Sequence, residues 1–412
     1  MKSSKPINWT TRLALAAGCL AAISALRAAD ITWTNAAGGD FSNPLNWSPN
    51  QVPGEADVAI FDLTGPQYRV YWTEAVTNMG YKVNAGNLIW DFQGHTYTYT
   101  NRYNWNFGTS TSGTRLTLMN GTGSGRGASS AGTMPIISGP GTEVTTLTNT
   151  SFALQEHKIY SPARVIVDGT NAIFGFGQCR YLTGTIIATN GGYYKCGGQF
   201  YAKAGAVVSI SGKGSQITSM TTVFETGPNG GIFISDGGYW FVGANSDIKI
   251  TEGTRIALDN GCLRVNIRKL LNNGGFIDGQ GIVTSIVYNV YGHIRPGGTN
   301  GVGQLTTVGS FYNNIAETNG TIQVELGGTA AGAYDRFEVI GTLNAGGTLE
   351  VSLIGGFKPA RGDTFDILDF TAISDEFAAL NLPGAEANWD TTKLYSTGEI
   401  RYRPVGTVIM VQ

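Results

Sequence analysis

Charged side chains are scarce in this chain of 412 residues, and the two signs are nearly balanced. Asp, Glu, Lys and Arg together fill 14% of the positions, whereas an average globular protein has about a quarter. This composition excludes a coiled coil or a helical bundle, both of which depend on charged surface positions. The formal net charge of -2 gives nucleic acid no electrostatic reason to bind. We therefore expect no nucleic-acid partner.

Cysteine and histidine are also rare, with four and three residues respectively. Cys19 lies in the N-terminal segment, which leaves Cys179, Cys196 and Cys262, so at most one intramolecular disulfide forms and a disulfide framework is excluded. Cys179 and Cys196 are close enough in sequence to meet on neighbouring coils, but small buried thiols are the favoured interpretation. No Cys or His pair has the short spacing of a zinc site, and we expect no metal and no cofactor.

The chain lacks an apolar run that is long enough to anchor it in a bilayer. Three basic residues precede an apolar stretch over 13–26, and small residues follow up to Ala29, which is the order of a secretory signal. We predict a signal peptide over 1–29 and no membrane span after its removal. The mature protein is expected outside the cytoplasm.

Glycine, by contrast, is abundant, with 59 residues, and its positions reveal a repeat. Short strands of alternating apolar residues end in Asn or Asp and Gly, and the closing glycines are Gly169, Gly191, Gly212, Gly237, Gly261 and Gly279. Their mean interval of 22 residues matches one coil of a parallel β-helix, in which stacking of coils creates the core. The corner glycines are expected to supply a positive φ. A β-sandwich is the second interpretation.

An alternating aromatic segment precedes the repeats, over residues 95–107. Rings occupy the odd positions and Thr, Asn or Arg the positions between them, so an extended chain places all rings on one face. The rings can cap the first coils, which is the favoured reading, or form a glycan platform. The candidate platform residues are Tyr97, Tyr99, Tyr103 and Trp105.

Two flanking segments resemble a known family. The N-terminal segment contains Trp33, Gly39-Asp40-Phe41-Ser42-Asn43-Pro44-Leu45-Asn46-Trp47, Val52-Pro53-Gly54, Asp57 and Ala59-Ile60-Phe61-Asp62. The C-terminal segment contains Tyr334-Asp335-Arg336-Phe337-Glu338-Val339-Ile340-Gly341, Leu343, Gly346-Gly347-Thr348-Leu349-Glu350-Val351, Gly362-Asp363-Thr364-Phe365-Asp366-Ile367-Leu368, Trp389-Asp390, Leu394 and Gly398. Both resemble secreted bacterial proteins that carry autotransporter-associated β-strand repeats.

The resemblance implies a right-handed parallel β-helix that is exported by a Gram-negative bacterium, and it brings no catalytic residues. Many relatives end in a Pro-Glu-Pro sorting signal or in a membrane β-barrel, and residues 402–412 match neither. We therefore expect a protein that is released, held by non-covalent contacts, or truncated in sequence. The expected organisation is a signal peptide (1–29), an N-terminal β cap (30–110), β-helix coils (111–305) and a C-terminal β segment (306–412).

The expected function is that of a structural or adhesive surface protein, with polysaccharide or other cell-surface components as partners. The alternative is a polysaccharide-degrading β-helix enzyme, a lyase or a glycoside hydrolase. In that reading, Asp168, Asp236 and Asp278 occupy equivalent corners of different coils and line up as a carboxylate ladder. Turn chemistry alone also selects Asp at such corners, because Asp caps its own backbone there.

Overall fold

The structure is a computed structural model that describes residues 29–100, 105–109, 111, 113–125, 136–243, 247–315 and 318–404. Residues 1–28 of the predicted signal peptide lie outside this part of the chain. Helical structure among the described residues is limited to the 3-10 turns Pro44–Asn46 and Glu386–Asn388 and the α-helical turn Leu394–Thr397. The prediction of an all-β fold is confirmed for these residues.

The strands are short in most of the chain. The N-terminal strands are β1 (Asp30–Trp33), β2 (Gly39–Asp40), β3 (Trp47–Ser48), β4 (Val58–Phe61), β5 (Tyr68–Tyr71), β6 (Val76–Asn78), β7 (Gly80–Val83), β8 (Gly86–Asp91), β9 (Thr96–Tyr99), β10 (Trp105–Phe107), β11 (Thr114–Met119), β12 (Gly121–Gly125), β13 (Ile136–Ile137) and β14 (Glu143–Thr146). The central strands are β15 (Thr150–Ile159), β16 (Arg164–Asp168), β17 (Ile173–Leu182), β18 (Thr185–Thr189), β19 (Tyr193–Lys195), β20 (Gln199–Ala202), β21 (Val207–Ser211), β22 (Gln216–Ser219), β23 (Thr221–Phe224), β24 (Gly231–Ser235), β25 (Tyr239–Val242), β26 (Ile248–Ile250), β27 (Arg255–Asn272) and β28 (Phe276–Asn289). The C-terminal strands are β29 (His293–Pro296), β30 (Gln304–Val308), β31 (Phe311–Tyr312), β32 (Asn314–Ile315), β33 (Thr318–Asn319), β34 (Thr321–Leu326), β35 (Arg336–Asn344), β36 (Thr348–Leu353), β37 (Thr364–Asp366), β38 (Leu368–Ser374), β39 (Ala379–Asn381), β40 (Trp389–Asp390) and β41 (Glu399–Tyr402).

Parallel pairing between successive coils arranges these strands in three ladders. The first ladder runs through β2, β5, β8, β11, β14, β16, β18, β21, β24, β27, β28, β29, β34, β36 and β39. The second ladder runs through β6, β9, β12, β15, β17, β19, β22, β25, β27, β28, β30, β35 and β38. The third ladder runs from β1 through β4, β7, β10, β13 and the end of β15 to β20, β23, β26 and β31. The long strands β27 and β28 contribute to all three ladders, and the fold is solenoid-like.

A column of inward-facing apolar side chains in the first ladder forms the centre of the core. Thirteen residues follow one another in register, and each is at most 3% exposed. They are Tyr68, Leu88, Leu116, Val144, Val165, Ile186, Val208, Ile232, Ile256, Ile277, Ile294, Ile322 and Leu349. Between Val165 and Ile277 each coil adds 21 to 24 residues, which agrees with the repeat predicted from glycine spacing.

The ladders continue on both sides of the predicted coil region, 111–305. β8 pairs with β11 across the expected boundary at residue 110, and β30 pairs with β35 beyond residue 305. The boundaries therefore coincide with no break in parallel pairing. At the C-terminal end, β37, β41 and β40 form a separate antiparallel sheet.

The interior changes along the stack from aromatic to mainly aliphatic. The N-terminal coils bury a set of large rings that includes Trp33, Phe41, Trp47, Phe61, Trp72, Trp90 and Phe92. Phe41 stacks on Trp72 with ring centroids 5.1 Å apart, and Phe61 lies 5.2 Å from Trp90. The predicted aromatic character of the N-terminal region is thus a property of its core.

Three buried asparagines bond to one another at the end of the third ladder. Asn272 Nδ2 donates to Asn289 Oδ1 at 2.9 Å, Asn289 Nδ2 donates to Asn313 Oδ1 at 2.8 Å, and all three residues are fully buried. Each amide spans adjacent coils, so the polar groups satisfy one another inside the corner.

The corner glycines perform two different tasks. Gly191 has φ +89°, and a Cβ atom there would meet no atom closer than 3.4 Å, so this position is selected by backbone conformation. Gly261 lies outside the left-handed region, which corrects the expectation of a positive φ at every corner. A Cβ atom at Gly261 would lie 2.2 Å from the carbonyl oxygen of Ile234, so glycine is needed there for close approach of two coils.

We expect Gly191→Ala to lower the free energy of unfolding by about 1–2 kcal/mol, because an L residue resists the left-handed region. Gly191→Asn should recover most of this loss, since Asn tolerates that conformation. Gly261→Ala should also destabilise the protein, but Gly261→Asn should bring no recovery, because either Cβ meets the same carbonyl. Chemical denaturation measures all four variants.

Gly54→Ala is the matched control, because its Cβ would have no neighbour closer than 3.6 Å and its φ is not left-handed. Equal behaviour of the Asn variants at Gly191 and Gly261 would contradict the assignment of separate tasks.

Candidate functional site

The aromatic segment over 95–107 faces the core where the structure describes it. Tyr97 and Tyr99 are fully buried, and the Tyr97 hydroxyl donates to Asn78 Oδ1 at 2.8 Å. Burial raises the pKa of both phenols. A ring without exposed surface cannot stack on a sugar, so the glycan platform is wrong for these two residues. Tyr103 and the side chain of Trp105 lie outside the described part of the chain.

The three candidate corner carboxylates do not share a column. Asp168 lies in the row that leads to Ser235, so Asp236 is displaced from that row by one residue. Asp278 lies in the row of Ile166, two residues before Asp168. The predicted alignment is wrong because the coils differ in length and the register shifts at a bulge after Ile234.

Each of these carboxylates has a hydrogen-bond partner. Asp168 Oδ1 accepts from Asn190 Nδ2 at 2.7 Å, and Asp236 Oδ2 accepts from the hydroxyl of Ser235 at 3.1 Å. The same corner, between the first and second ladders, carries further contacts between coils. Side-chain amides donate at 2.7 to 3.1 Å in the pairs Asn120 to Asp91, Asn171 to Asn149, Gln280 to Asp259 and Gln304 to Glu338. The corner Asp, Asn and Gln residues thus connect successive coils.

Asp278 is a fully buried carboxylate that is held by two arginines. Arg255 Nε donates to Oδ2 at 2.5 Å, while Arg295 donates through Nε at 2.8 Å and through Nη2 at 2.7 Å. The guanidinium of Arg295 also lies 4.3 Å from the ring centroid of Phe276. A buried charge requires such pairing, so Asp278 fixes the two arginines in place.

Three clefts follow this corner of the stack. The first, of about 370 Å³, is lined by Asn120, Asp168 and Asn190. The second, of about 420 Å³, is lined by Phe233, Arg255, Asp259, Gln280 and the Gly297–Gly298 turn, among others. The third, of about 450 Å³, contains Asn260, Gln280, Ile282 and Gln304. The second and third share Gln280 and form a continuous groove over adjacent coils.

Phe233 is the feature of this groove that the sequence analysis missed. It is 37% exposed and lies in the outward row between Ser209 and Ala257. The alternation in Ile232-Phe233-Ile234 places Phe233 opposite two core residues, and this signal was present in the repeat itself.

A buried carboxylate supports the loop at one end of the groove. Asp335 Oδ1 accepts from the backbone N–H of Gly303 at 2.9 Å, and Oδ2 accepts from that of Glu325 at 2.8 Å. Burial raises the pKa of Asp335 to about 8, although both N–H donors act in the opposite direction. The glycine-rich loop 297–303 is thereby attached to the following coil.

A second titratable group, His157, is enclosed in the core. Its Nε2 bonds to the hydroxyl of Tyr194, and Nδ1 has no partner among the described residues. Burial lowers the pKa of His157 to about 4. Cys179 lies in register with His157, and Cys179, Cys196 and Cys262 are free thiols. Burial raises the pKa of Cys179 and Cys196, so these two thiols are held in the unreactive neutral form.

In the described ranges, no group of three or more His, Cys, Asp or Glu side chains is arranged to hold a metal ion. No helix there is both long and apolar enough to cross a membrane. No family model, curated protein or solved structure matches the chain.

We expect Tyr97→Ala to lower the free energy of unfolding by about 3–5 kcal/mol, as for other large buried aromatics. Tyr97→Phe should lose only about 1 kcal/mol, the value of one hydrogen bond. Tyr181→Ala is the control, because that ring is 39% exposed and should change stability little. Thermal melts give the values, and wild-type stability of Tyr97→Ala would contradict burial of the ring.

We also expect a pH dependence from His157. The unfolded histidine titrates near 6.5 and the folded one near 4, so only the unfolded state takes up the proton between these values. The free energy of unfolding should therefore fall as the pH is lowered from about 6.5 towards 4. His157→Gln lacks this proton uptake. The stability gap between wild type and His157→Gln should narrow from pH 7 to pH 4.5, and parallel curves would contradict the assignment.

Proposed function

We propose that this chain is an exported structural or adhesive surface protein with glycan as its ligand. Its architecture would be a right-handed parallel β-helix with an N-terminal aromatic cap and a C-terminal β-rich closing segment. The three parallel ladders and the continuous apolar column support a rod of stacked coils. Such a rod presents a long side surface on a rigid core, which suits attachment and display.

The use of the corner carboxylates carries the choice of binding over catalysis. Glycoside hydrolysis needs two carboxyl groups that face each other across the scissile bond. In this structure Asp168 bonds to an amide of the next coil and Asp278 bonds to two arginines. These carboxylates connect neighbouring strands, and the register separates them into different rows.

The proposed location is outside the cell or on the surface of a Gram-negative bacterium. It rests on the signal-like sequence over 1–29 and on the resemblance of both flanks to proteins with autotransporter-associated repeats. The solenoid-like pairing agrees with the architecture that this resemblance implies.

The test is to express the full chain in a Gram-negative host and to follow its location and its effect on polysaccharide. Antibody labelling of intact cells and assay of the medium should detect the protein outside the cell. Cells that carry it should be retained on polysaccharide-coated surfaces more than cells without it, and no new reducing ends should appear.

Confinement to the cytoplasm would contradict the proposal. Release of reducing ends or of unsaturated uronates by the purified protein would favour the polysaccharide-degrading alternative. A catalytically silent protein that increases retention supports the adhesive role.

A further inference from the structure

The groove between Phe233 and the Gly297–Gly298 turn contains an exposed aromatic platform. Phe233 lies on the outer side of β24, and its ring bends back over Gly231, where a Cβ atom would come 3.0 Å from the ring. Its neighbours in the row are Ser209 and Ala257, both small. The edge and one face of the ring therefore remain accessible beside a floor formed by Ala257.

Arg255 provides a fixed donor on the opposite side of this floor. Its side chain is 46% exposed, and Asp278 is its hydrogen-bond partner among the described residues, through Nε. The two Nη nitrogens are left as donors to a ligand. Because Asp278 is buried and also bound by Arg295, the guanidinium is held without the need for a ligand.

Asp259 and Gln280 complete the groove at the corner. Gln280 Nε2 donates to Asp259 Oδ1 at 2.7 Å, and both side chains are exposed. The pair offers further acceptor oxygens and one amide hydrogen to a hydroxyl group. Gln280 also lines the adjoining cleft with Asn260 and Gln304, so a ligand longer than one unit can follow the corner from coil to coil.

We propose that this groove binds a neutral polysaccharide, with one sugar stacked on Phe233 and its hydroxyls bound by Arg255, Asp259 and Gln280. This assignment rests on the proposed glycan-binding function and specifies its site. A sugar has an apolar C–H face and hydroxyls that both donate and accept, which matches a ring beside fixed donors and acceptors. The charges of Arg255 and Arg295 are balanced by those of Asp278 and Asp259, so the groove has no net charge with which to select an acidic chain.

The experiment measures binding of the full chain to a soluble β-glucan, a galactomannan and polygalacturonate by titration calorimetry. The variants are Phe233→Ala and Gln280→Ala, which change exposed side chains and should leave the thermal melt unchanged. Tyr181→Ala is the matched control, because Tyr181 has nearly the same exposure but lies at the end of β17, on the third ladder. Phe233→Ala should weaken binding of a neutral polysaccharide about tenfold and Gln280→Ala severalfold, while Tyr181→Ala binds as wild type.

Three outcomes would overturn the assignment. Unchanged affinity of Phe233→Ala and Gln280→Ala would place the glycan elsewhere and leave the proposed function intact. Binding of polygalacturonate alone would overturn the neutral class. Absence of binding to all three probes would overturn the site, while the surface labelling and retention assays test the structural or adhesive role independently.

Discussion

Each coil of this chain can satisfy its backbone hydrogen bonds only against the coils before and after it. A short parallel strand has no partner within its own coil, and an unpaired buried N–H or C=O group is strongly unfavourable. Stacking therefore has to occur in register, and the column from Tyr68 to Leu349 shows that it does. The corner glycines, the amide pairs and the two-sided strands all serve this one requirement.

The sequence predicts what repeats and fails where an individual position departs from the repeat. Coil length and the positive φ of Gly191 follow from turn chemistry, whereas Gly261 is needed for close approach to Ile234, a contact between distant residues. Alternation shows that Tyr97 and Phe233 each have a preferred side, but it does not say which side is inside. Only the stacked neighbours decide that Tyr97 faces the core and Phe233 the solvent.

The candidate site illustrates the same limit in its charges. Asp278 is typical of a corner residue in sequence, yet its meaning depends on Arg255 and Arg295, which come from the preceding and following strands of the ladder. Spacing alone could not reveal this pairing, because the register shifts at bulges and the coils differ in length. A carboxylate that resembles a catalytic group is here the anchor of a donor on the surface.

The unequal lengths of the coils have a consequence for the history of such a protein. In the first ladder, 17 residues separate Ile277 from Ile294, while 28 separate Ile294 from Ile322, yet all three are buried in one column. Added residues are accommodated outside the core, at the corners. Insertions and deletions can therefore remodel the exterior without repacking the interior, and selection for new surface contacts acts almost independently of selection for folding.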